Sequence, residues 1–410
     1  MRVPKSLSGE HPPTINVMRS SPWLAFAAVV AALLATILVV SRVGRDGGAT
    51  ASLSPTATAT ASGTAAVATP TASSSSAAPT STGASVLDDR FGLLVYDEDA
   101  KVRSEASDSV ISSFPAKSRS FTFYSRVISP DGRSVAYWDP VANGAVLHVR
   151  PVTGGTDRAV LTVRPEMKGN AFTWSSDGTG IVAALDNDCQ ESCAGPAVNE
   201  LWTIDLASGA TERVASGSIW LPVTWDRAAK RIAAGVTGPG GYLTAYNVID
   251  LNKQPYVVRG TPFTPTVIGR LKASSDARYV LLRTMGSPDS LAWWPLAEPD
   301  KRSDLAFDGA AAEWRPGTSE IWWSSGLTPA GCRTAPCAAT ELVSFDVTTS
   351  ARRSIARGGV GALLIGFRVD GSAAITAVPG TSTVIVVDVQ SGSTATITVS
   401  GQLGETVRLR

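Results

Sequence analysis

The stretch SPDGRSVAYW, Ser129 to Trp138, places a Pro-Asp-Gly turn directly before a run of alternating apolar residues. Pro, Asp and Gly are residues that tight turns favour, whereas aromatic and β-branched residues with a period of two are typical of a strand. The stretch therefore predicts one half of a β-hairpin. Its meaning for the whole fold depends on whether it recurs.

The same pattern occurs five more times along the chain. In each copy a strand ends, a polar turn follows, and an apolar run begins the next strand. The copies stand 41 to 53 residues apart. They are WSSDGTGIVAAL from Trp174, WDRAAKRIAAGV from Trp225, ASSDARYVLLRT from Ala273, WRPGTSEIWWSS from Trp314 and FRVDGSAAITAV from Phe367. Six copies at this spacing indicate a repeated structural unit.

A second hairpin alternates with the first, in which a strand ends at an acid before a polar turn. Its clearest copies have the acid at Asp205, Asp250, Asp346 and Asp388, and related copies have Asp97, Pro151 or Pro295 at that position. An acid that recurs with the repeat predicts a role in forming the turn. Two hairpins make a four-stranded unit, and no stretch after Arg90 has the length and periodicity of a substantial helix. The sequence thus predicts an all-β protein, a β-propeller of four-stranded blades.

Three copies of the first hairpin carry a resemblance to a known family. The segments Ser129 to Gly132, Trp174 to Gly178 and Trp314 to Gly317 resemble the Trp-Ser-Pro-Asp-Gly turn of TolB-type, WD-repeat-like propellers. The resemblance implies the propeller fold, but it does not imply one function, because such rings serve as binding modules, scaffolds and hydrolases. The copies at Trp225 and Ala273 depart from the pattern and leave the register of two blades open.

The number of blades follows from an unmatched hairpin at the N-terminal end of the domain. Leu93 to Ser107 forms a seventh copy of the second hairpin without a copy of the first. We expect this half-blade to pair with a C-terminal strand at Glu405 to Arg410 and so close the ring. Seven blades are favoured, one of them composite, and six blades with an extra N-terminal hairpin are the alternative.

The segment before the propeller predicts a membrane anchor and a stalk. Residues 22–40, Pro22 to Val40, contain no charged side chain over 19 residues, which nearly spans a hydrocarbon core of about 30 Å. A signal peptide cleaved near Ala49 to Ala51 is the alternative. Residues 41–86, rich in Ala, Ser, Thr and Pro, predict a disordered stalk. We expect a short cytoplasmic tail at 1–21 and a propeller at 87–410 on the extracytoplasmic side of a bacterial cell membrane.

The four cysteines form two close pairs, which agrees with an exported domain. Cys189 and Cys193 stand in one loop, and Cys332 and Cys337 stand in another. Each pair predicts a local disulfide. One shared zinc site is the alternative, and it is disfavoured because three blades separate the pairs. The sequence predicts no metal site and no cofactor.

Residues that do not follow the repeat are the candidates for ligand binding. Asp186 and Asp188 stand beside the first cysteine pair, and Trp220 breaks the register of the other tryptophans. Each also has an ordinary interpretation, because acids are common in loops and tryptophan is common in cores.

Composition excludes several functions. The only histidines are His11 and His148, so a Ser-His-Asp triad would depend on one strand residue and no catalytic residue is predicted. A net charge of +1 with mixed signs gives no nucleic-acid footprint. These features favour a non-enzymatic binding or scaffold module for an envelope protein, peptide or glycan. The alternative is a carbohydrate-active hydrolase or lyase with carboxylates about 5 to 10 Å apart at the channel mouth.

Overall fold

The structure is a computed structural model that describes residues 86–409, except 97–98, 118–126, 143, 166, 188–198, 239–240, 286–289, 310, 327–337, 380 and 400. All of these described residues belong to one compact unit, Pro79–Arg410. The predicted tail, anchor and nearly all of the predicted stalk lie outside the described residues. Within the part of the chain that is described, no helix is long and apolar enough to cross a membrane.

The described residues of this unit form seven antiparallel sheets. Blade 1 contains β4 (Ser134–Val141), β5 (Gly144–Pro151) and β6 (Arg158–Thr162). Blade 2 contains β7 (Lys168–Trp174), β8 (Gly180–Asp186), β9 (Asn199–Asp205) and β10 (Thr211–Ser216). Blade 3 contains β11 (Ile219–Asp226), β12 (Arg231–Thr237), β13 (Leu243–Asp250) and β14 (Val257–Val267). Blade 4 contains β15 (Gly269–Ala273), β16 (Tyr279–Thr284), β17 (Ser290–Pro295) and β18 (Ser303–Leu305).

The remaining sheets complete a ring of seven. Blade 5 contains β19 (Ala312–Trp314), β20 (Glu320–Ser325), β21 (Ala338–Asp346) and β22 (Arg352–Gly361). Blade 6 contains β23 (Leu363–Phe367), β24 (Ala373–Ala377), β25 (Thr383–Asp388) and β26 (Thr394–Thr398). Blade 7 contains β27 (Gln402–Arg408), β1 (Phe91–Tyr96), β2 (Asp99–Ser104) and β3 (Val110–Lys117). In blade 1 a short segment takes the innermost position, where Ile128 bridges Val135 and Val127 accepts the Ala136 amide at 2.9 Å.

Blade 7 closes the ring by joining the two ends of the domain. The C-terminal strand β27 pairs antiparallel with β1, so that Arg408 lies opposite Phe91 and Gln402 lies opposite Tyr96. The predicted composite blade and the count of seven are confirmed, and the six-blade alternative is wrong. The N-terminal segment supplies three strands, and the predicted hairpin at Leu93 to Ser107 joins the second and third strands of this blade rather than the third and fourth.

The repeated first turn has the same Ser-to-Asp hydrogen bond in blades 1, 2 and 4. The Ser129 hydroxyl donates to the Asp131 carboxylate at 2.6 Å, and that carboxylate accepts the Arg133 amide at 3.1 Å. Gly132 takes the left-handed φ of +74° that the turn needs. The residue at the same place in the turn is left-handed at Gly178, Ala277 and Gly371, whereas the left-handed residue lies one position later at Lys230 and one position earlier at Gly317. The Ala273 copy therefore keeps the register of the Ser129 copy, and the Trp225 copy differs from it by one residue.

In blades 2, 3, 5 and 6 the second turn depends on the acid that ends the third strand. The Asp205 carboxylate accepts the amides of Ala207 and Ser208 at 3.1 and 2.8 Å. Asp388 accepts the amides of Gln390 and Ser391 at 3.1 and 2.7 Å in the same way. Amide and hydroxyl donors of Ser208, with Arg227, hold the pKa of Asp205 well below its usual range. The predicted role of these acids in forming the turns is confirmed.

Aromatic side chains pack the blades against each other, as the tryptophan spacing predicts. The Trp174 indole donates to the Val127 carbonyl at 3.1 Å, and the Trp314 indole donates to the Lys272 carbonyl at 3.2 Å. Each of these bonds joins a blade to the preceding one. The neighbours Trp322 and Trp323 are both fully buried and belong to different interblade clusters, since alternate strand residues face opposite sides of a sheet.

Antiparallel strands give the ring two distinct faces. The turns between first and second strands and between third and fourth strands lie at one end, which we call the turn face. The connections after second and fourth strands lie at the other end, which we call the loop face. Strands β8 and β20, which precede the two cysteine pairs, both end at the loop face.

Candidate functional site

A cavity of about 300 Å³ lies in the central channel and is the candidate functional site. Each blade contributes to it, mainly through its innermost strand. One lining residue from each blade in turn is Ile128, Thr173, Leu221, Leu271, Trp314, Phe367 and Thr406. The volume lies at the lower end of the range for ligand pockets, and the mixed apolar and polar lining is typical of them.

Residues of the repeated turns form part of this lining. Ser129, Pro130, Ser275 and Pro316 all contact the cavity at its turn-face end. Their repetition in the sequence predicts a structural role only and does not predict that they line a cavity. Because a first strand borders the channel, the residues where it enters the turn also border the channel.

A position one residue before the end of the first strand was also missed. It is Thr173 in blade 2, Lys272 in blade 4, Glu313 in blade 5 and Gly366 in blade 6, and all four line the cavity. This position could have been identified from the sequence, because its residue type varies between copies while its place in the repeat is fixed.

Blades 4 and 5 contribute an ion pair to the wall, in which the Glu313 side chain is largely buried and the Lys272 side chain is partly exposed. Lys272 donates to the carboxylate of Glu313 across the interface between the two blades. Burial raises the pKa of Glu313, whereas the neighbouring cations Lys272, Arg270 and Arg283 act in the opposite direction. Arg270 also lines the cavity and is exposed to it.

The other acid in the lining, Glu405, joins blade 7 to blade 1. Its carboxylate accepts the backbone amides of Val127 and Ile128 at 3.1 and 3.2 Å. Those amides belong to the short segment that replaces a full first strand in blade 1. Glu405 therefore holds that segment in place beside the channel.

Asp186 lies at the loop-face end of β8 and does not belong to the described lining of the cavity. It is partly buried, and its carboxylate accepts a hydrogen bond from the side-chain amide (Nδ2) of Asn170 at 3.1 Å. Asp188 lies outside the described residues. Ligand binding by this pair stays a prediction.

Trp220 lies in the interface between blades 2 and 3 and has 4% of its surface exposed. It packs with Leu201, Val214 and Ile249, which is the core packing that the sequence analysis gave as the alternative. Its neighbour Leu221 lines the cavity. Ligand stacking on Trp220 stays a prediction, and it would require the indole to leave this cluster.

The structure does not test the two predicted disulfides. Cys189, Cys193, Cys332 and Cys337 all lie outside the described residues, so both pairings stay predictions. Among the described residues, no group of three or more His, Cys, Asp or Glu side chains could hold a metal ion. His148 stacks on Tyr137 with ring centroids 5.6 Å apart, which is the packing role expected of a strand histidine.

Comparisons with known proteins identify similar folds. No protein-family model and no curated protein sequence matches the chain. TolB from Acinetobacter baumannii is 13% identical, with a TM-score of 0.41 over 77% of this chain and 82% of that chain. A chain of a mitotic checkpoint complex is 12% identical, with a TM-score of 0.47 over 83% and 90%. An oligogalacturonate lyase in complex with manganese is 12% identical, with a TM-score of 0.39 over 67% and 87%. TolB is thus among the solved structures similar to this chain, and the likenesses concern the fold alone.

Proposed function

We propose that the propeller is a non-enzymatic binding module that takes a segment of an envelope protein or peptide into its central channel. The observation that carries the proposal is the cavity of about 300 Å³ to which all seven blades contribute. We further propose that an anchor at Pro22 to Val40 and the stalk after it display the module on the extracytoplasmic side of a bacterial cell membrane. The apolar run and the uncharged Ser/Thr/Pro-rich tract support this location.

The chemistry of the lining supports binding of a peptide in particular. Apolar side chains such as Leu221, Leu271 and Phe367 line the wall, and blade 4 adds the charged Arg270 and Lys272. An apolar wall with a few placed charges suits a chain of mixed side chains, because the apolar groups supply affinity and the charges supply orientation. A glycan is rich in hydroxyl groups, and many of these would find no hydrogen-bond partner on the apolar part of this wall.

The carbohydrate-active alternative has less support. The described lining contains two acids, Glu313 in blade 5 and Glu405 in blade 7. Glu313 is paired with Lys272, and Glu405 holds two backbone amides of blade 1. A glycosidase needs one carboxyl group to donate a proton and another to act as base or nucleophile. Both described acids instead have structural partners.

Filling the channel tests the proposal. Gly366 lines the cavity, and a Cβ atom on it would meet no other atom within 4 Å. Gly366→Trp should therefore place an indole in the channel without disturbing the ring. Thr396→Trp, on the exposed outer strand β26 of the same blade, is the matched control.

The measurement is quantitative recovery of envelope proteins and peptides on the immobilised full-length chain. We expect the same specific components with the unchanged chain and with Thr396→Trp, and at least a tenfold loss with Gly366→Trp. Melting temperatures of the three proteins should agree within a few degrees. If Gly366→Trp recovers the same components in the same amounts, binding does not use the channel and the proposal is wrong.

A further inference from the structure

The first two strands of blade 4 place two arginines directly opposite each other. Arg270 on β15 is the register partner of Arg283 on β16. Like charges directly opposite on neighbouring strands destabilise a sheet. Lys272 lies two residues beyond Arg270, so its side chain lies on the same side of the sheet. Three cations therefore share one side of the blade, and two of them, Arg270 and Lys272, line the channel cavity.

The carboxyl group of Glu313 in blade 5 faces these cations. Arg270, Lys272 and Arg283 all act on its protonation, and Lys272 forms an ion pair with it. Three of these four side chains are cations and one is an acid. A conflict of this kind, placed at the wall of a cavity, is more typical of a functional site than of a position selected for stability.

Exposed apolar side chains border the cations at the loop face. Ile268 and Met285 stand just beyond the strand ends and have 47% and 42% of their surface exposed. The Met285 amide donates to the Ile268 carbonyl at 2.7 Å, so these two residues extend the same ladder. In blade 3, Tyr242 is 43% exposed and precedes Leu243, which lines the cavity.

We infer that Arg270, Lys272 and Arg283 bind the carboxylate of a peptide, and that an adjacent apolar side chain of the peptide packs on Ile268, Met285 and Tyr242. Charge complementarity identifies the carboxylate, because guanidinium groups bind carboxylates through paired hydrogen bonds. The aliphatic surface identifies the peptide, because it matches an apolar side chain better than the hydroxyl groups of an acidic sugar. The inference rests on the proposed function and names the ligand chemistry of the same channel.

Defined peptides test the inference on the full-length chain in a mild non-ionic detergent. The first probe is fluorescein-labelled Gly-Ser-Gly-Ala-Leu-Leu with a free C-terminal carboxylate, and the second is its C-terminal amide. The third is the amide of Gly-Ser-Gly-Asp-Leu-Leu, which moves the carboxylate to a side chain. Fluorescence polarisation should show at least tenfold tighter binding for the first or the third probe than for the second.

Variants locate the carboxylate on blade 4. Arg270→Gln and Arg283→Gln should each weaken binding of the carboxylate probe about tenfold. Arg278→Gln removes the same charge from the turn face of the same blade, where Arg278 pairs with Asp276, and should leave binding unchanged. Glu313→Gln should tighten binding about threefold, because it removes a competing negative charge. A tighter complex is not expected from a purely structural role of Glu313.

The possible outcomes separate this inference from the proposed function. Equal binding of all three peptides would overturn the carboxylate site and leave peptide binding in the channel intact. Equal affinity of Arg270→Gln and the unchanged chain, at unchanged melting temperature, would also overturn it. Binding of trigalacturonate without binding of any peptide would overturn the choice of a peptide. Absence of binding by every probe would overturn the inference, whereas the proposed function depends separately on the Gly366→Trp experiment.

Discussion

Removing the Arg368 side chain should strongly destabilise the closed ring. Arg368, after the first strand of blade 6, pairs with Glu105 in blade 7, and their side chains are 6% and 0% exposed. The guanidinium donates through Nε to the Glu105 carboxylate at 3.1 Å, and it also donates to the Val86 carbonyl. It lies over the Phe91 ring, 5.1 Å from the centroid. One side chain thus holds the start of the domain against blade 6.

The expected magnitude follows from the burial of the pair. In the variant R368M, the Glu105 carboxylate stays buried without its cation, which costs about 3 to 5 kcal/mol of unfolding free energy. In the double variant R368M/E105L, both charges are absent, and the loss should shrink to about 1 kcal/mol. The loss of unfolding free energy should therefore come mainly from the Glu105 carboxylate that is buried without a cation.

Urea denaturation of the full-length chain, followed by tryptophan fluorescence, measures these differences. Arg90→Met is the control, because Arg90 pairs with Asp88 nearby, lies over the same Phe91 ring at 5.6 Å and has 60% of its side chain exposed. That exposed pair should contribute little to stability, because solvent screens it. The reasoning is refuted if R368M costs no more than Arg90→Met, or if the double variant is no more stable than R368M.

Three further predictions concern the turns and the cysteines. Lys230→Gly should stabilise the protein by about 1 kcal/mol, because φ at Lys230 is +53°; Lys230→Ala keeps the unfavourable φ and should show no gain in urea denaturation. Hydrogen bonds hold the pKa values of Asp205 and Asp346 below the usual value, so their stabilisation is complete above about pH 4 and is lost as the pH falls further; melting curves from pH 7 to pH 2 should show a decline that Asp205→Ala and Asp346→Ala reduce. The denatured chain from bacterial envelopes should take up no alkylating agent before reduction and four equivalents after it, whereas uptake before reduction would contradict two disulfides.

Local chemistry made most of the fold predictable from the sequence. A turn such as Ser129 to Ser134 forms from its own residues, since Ser129, Asp131 and Gly132 supply its hydrogen bonds and its left-handed φ. Repetition of that local signal identified the ring. The closure by β27 was predictable because a hairpin at Leu93 lacked its partner in the repeat count.

The candidate site was less predictable because it depends on distant contacts. Arg270 faces Arg283 only in one strand register, and Lys272 meets Glu313 across 41 residues. Neither pairing is visible as a motif. Arg368 and Glu105, 263 residues apart, meet because the ring brings blade 6 against blade 7. Periodicity predicts which strands form, whereas these contacts require knowledge of which sides of two sheets meet.

A residue that breaks the repeat of a propeller is therefore not, for that reason alone, part of its functional site. Asp186 and Trp220 stood out because they break the repeat, yet Trp220 is buried between two blades and Asp186 does not line the described cavity. Lys272, Glu313 and Gly366 occupy the same position in their blades, and their side chains differ in charge and size. Because the first strand of each blade must border the channel, its side chains can vary without affecting the turns that define the fold. A fixed position with variable residues is thus where a propeller can acquire a binding specificity while keeping its architecture.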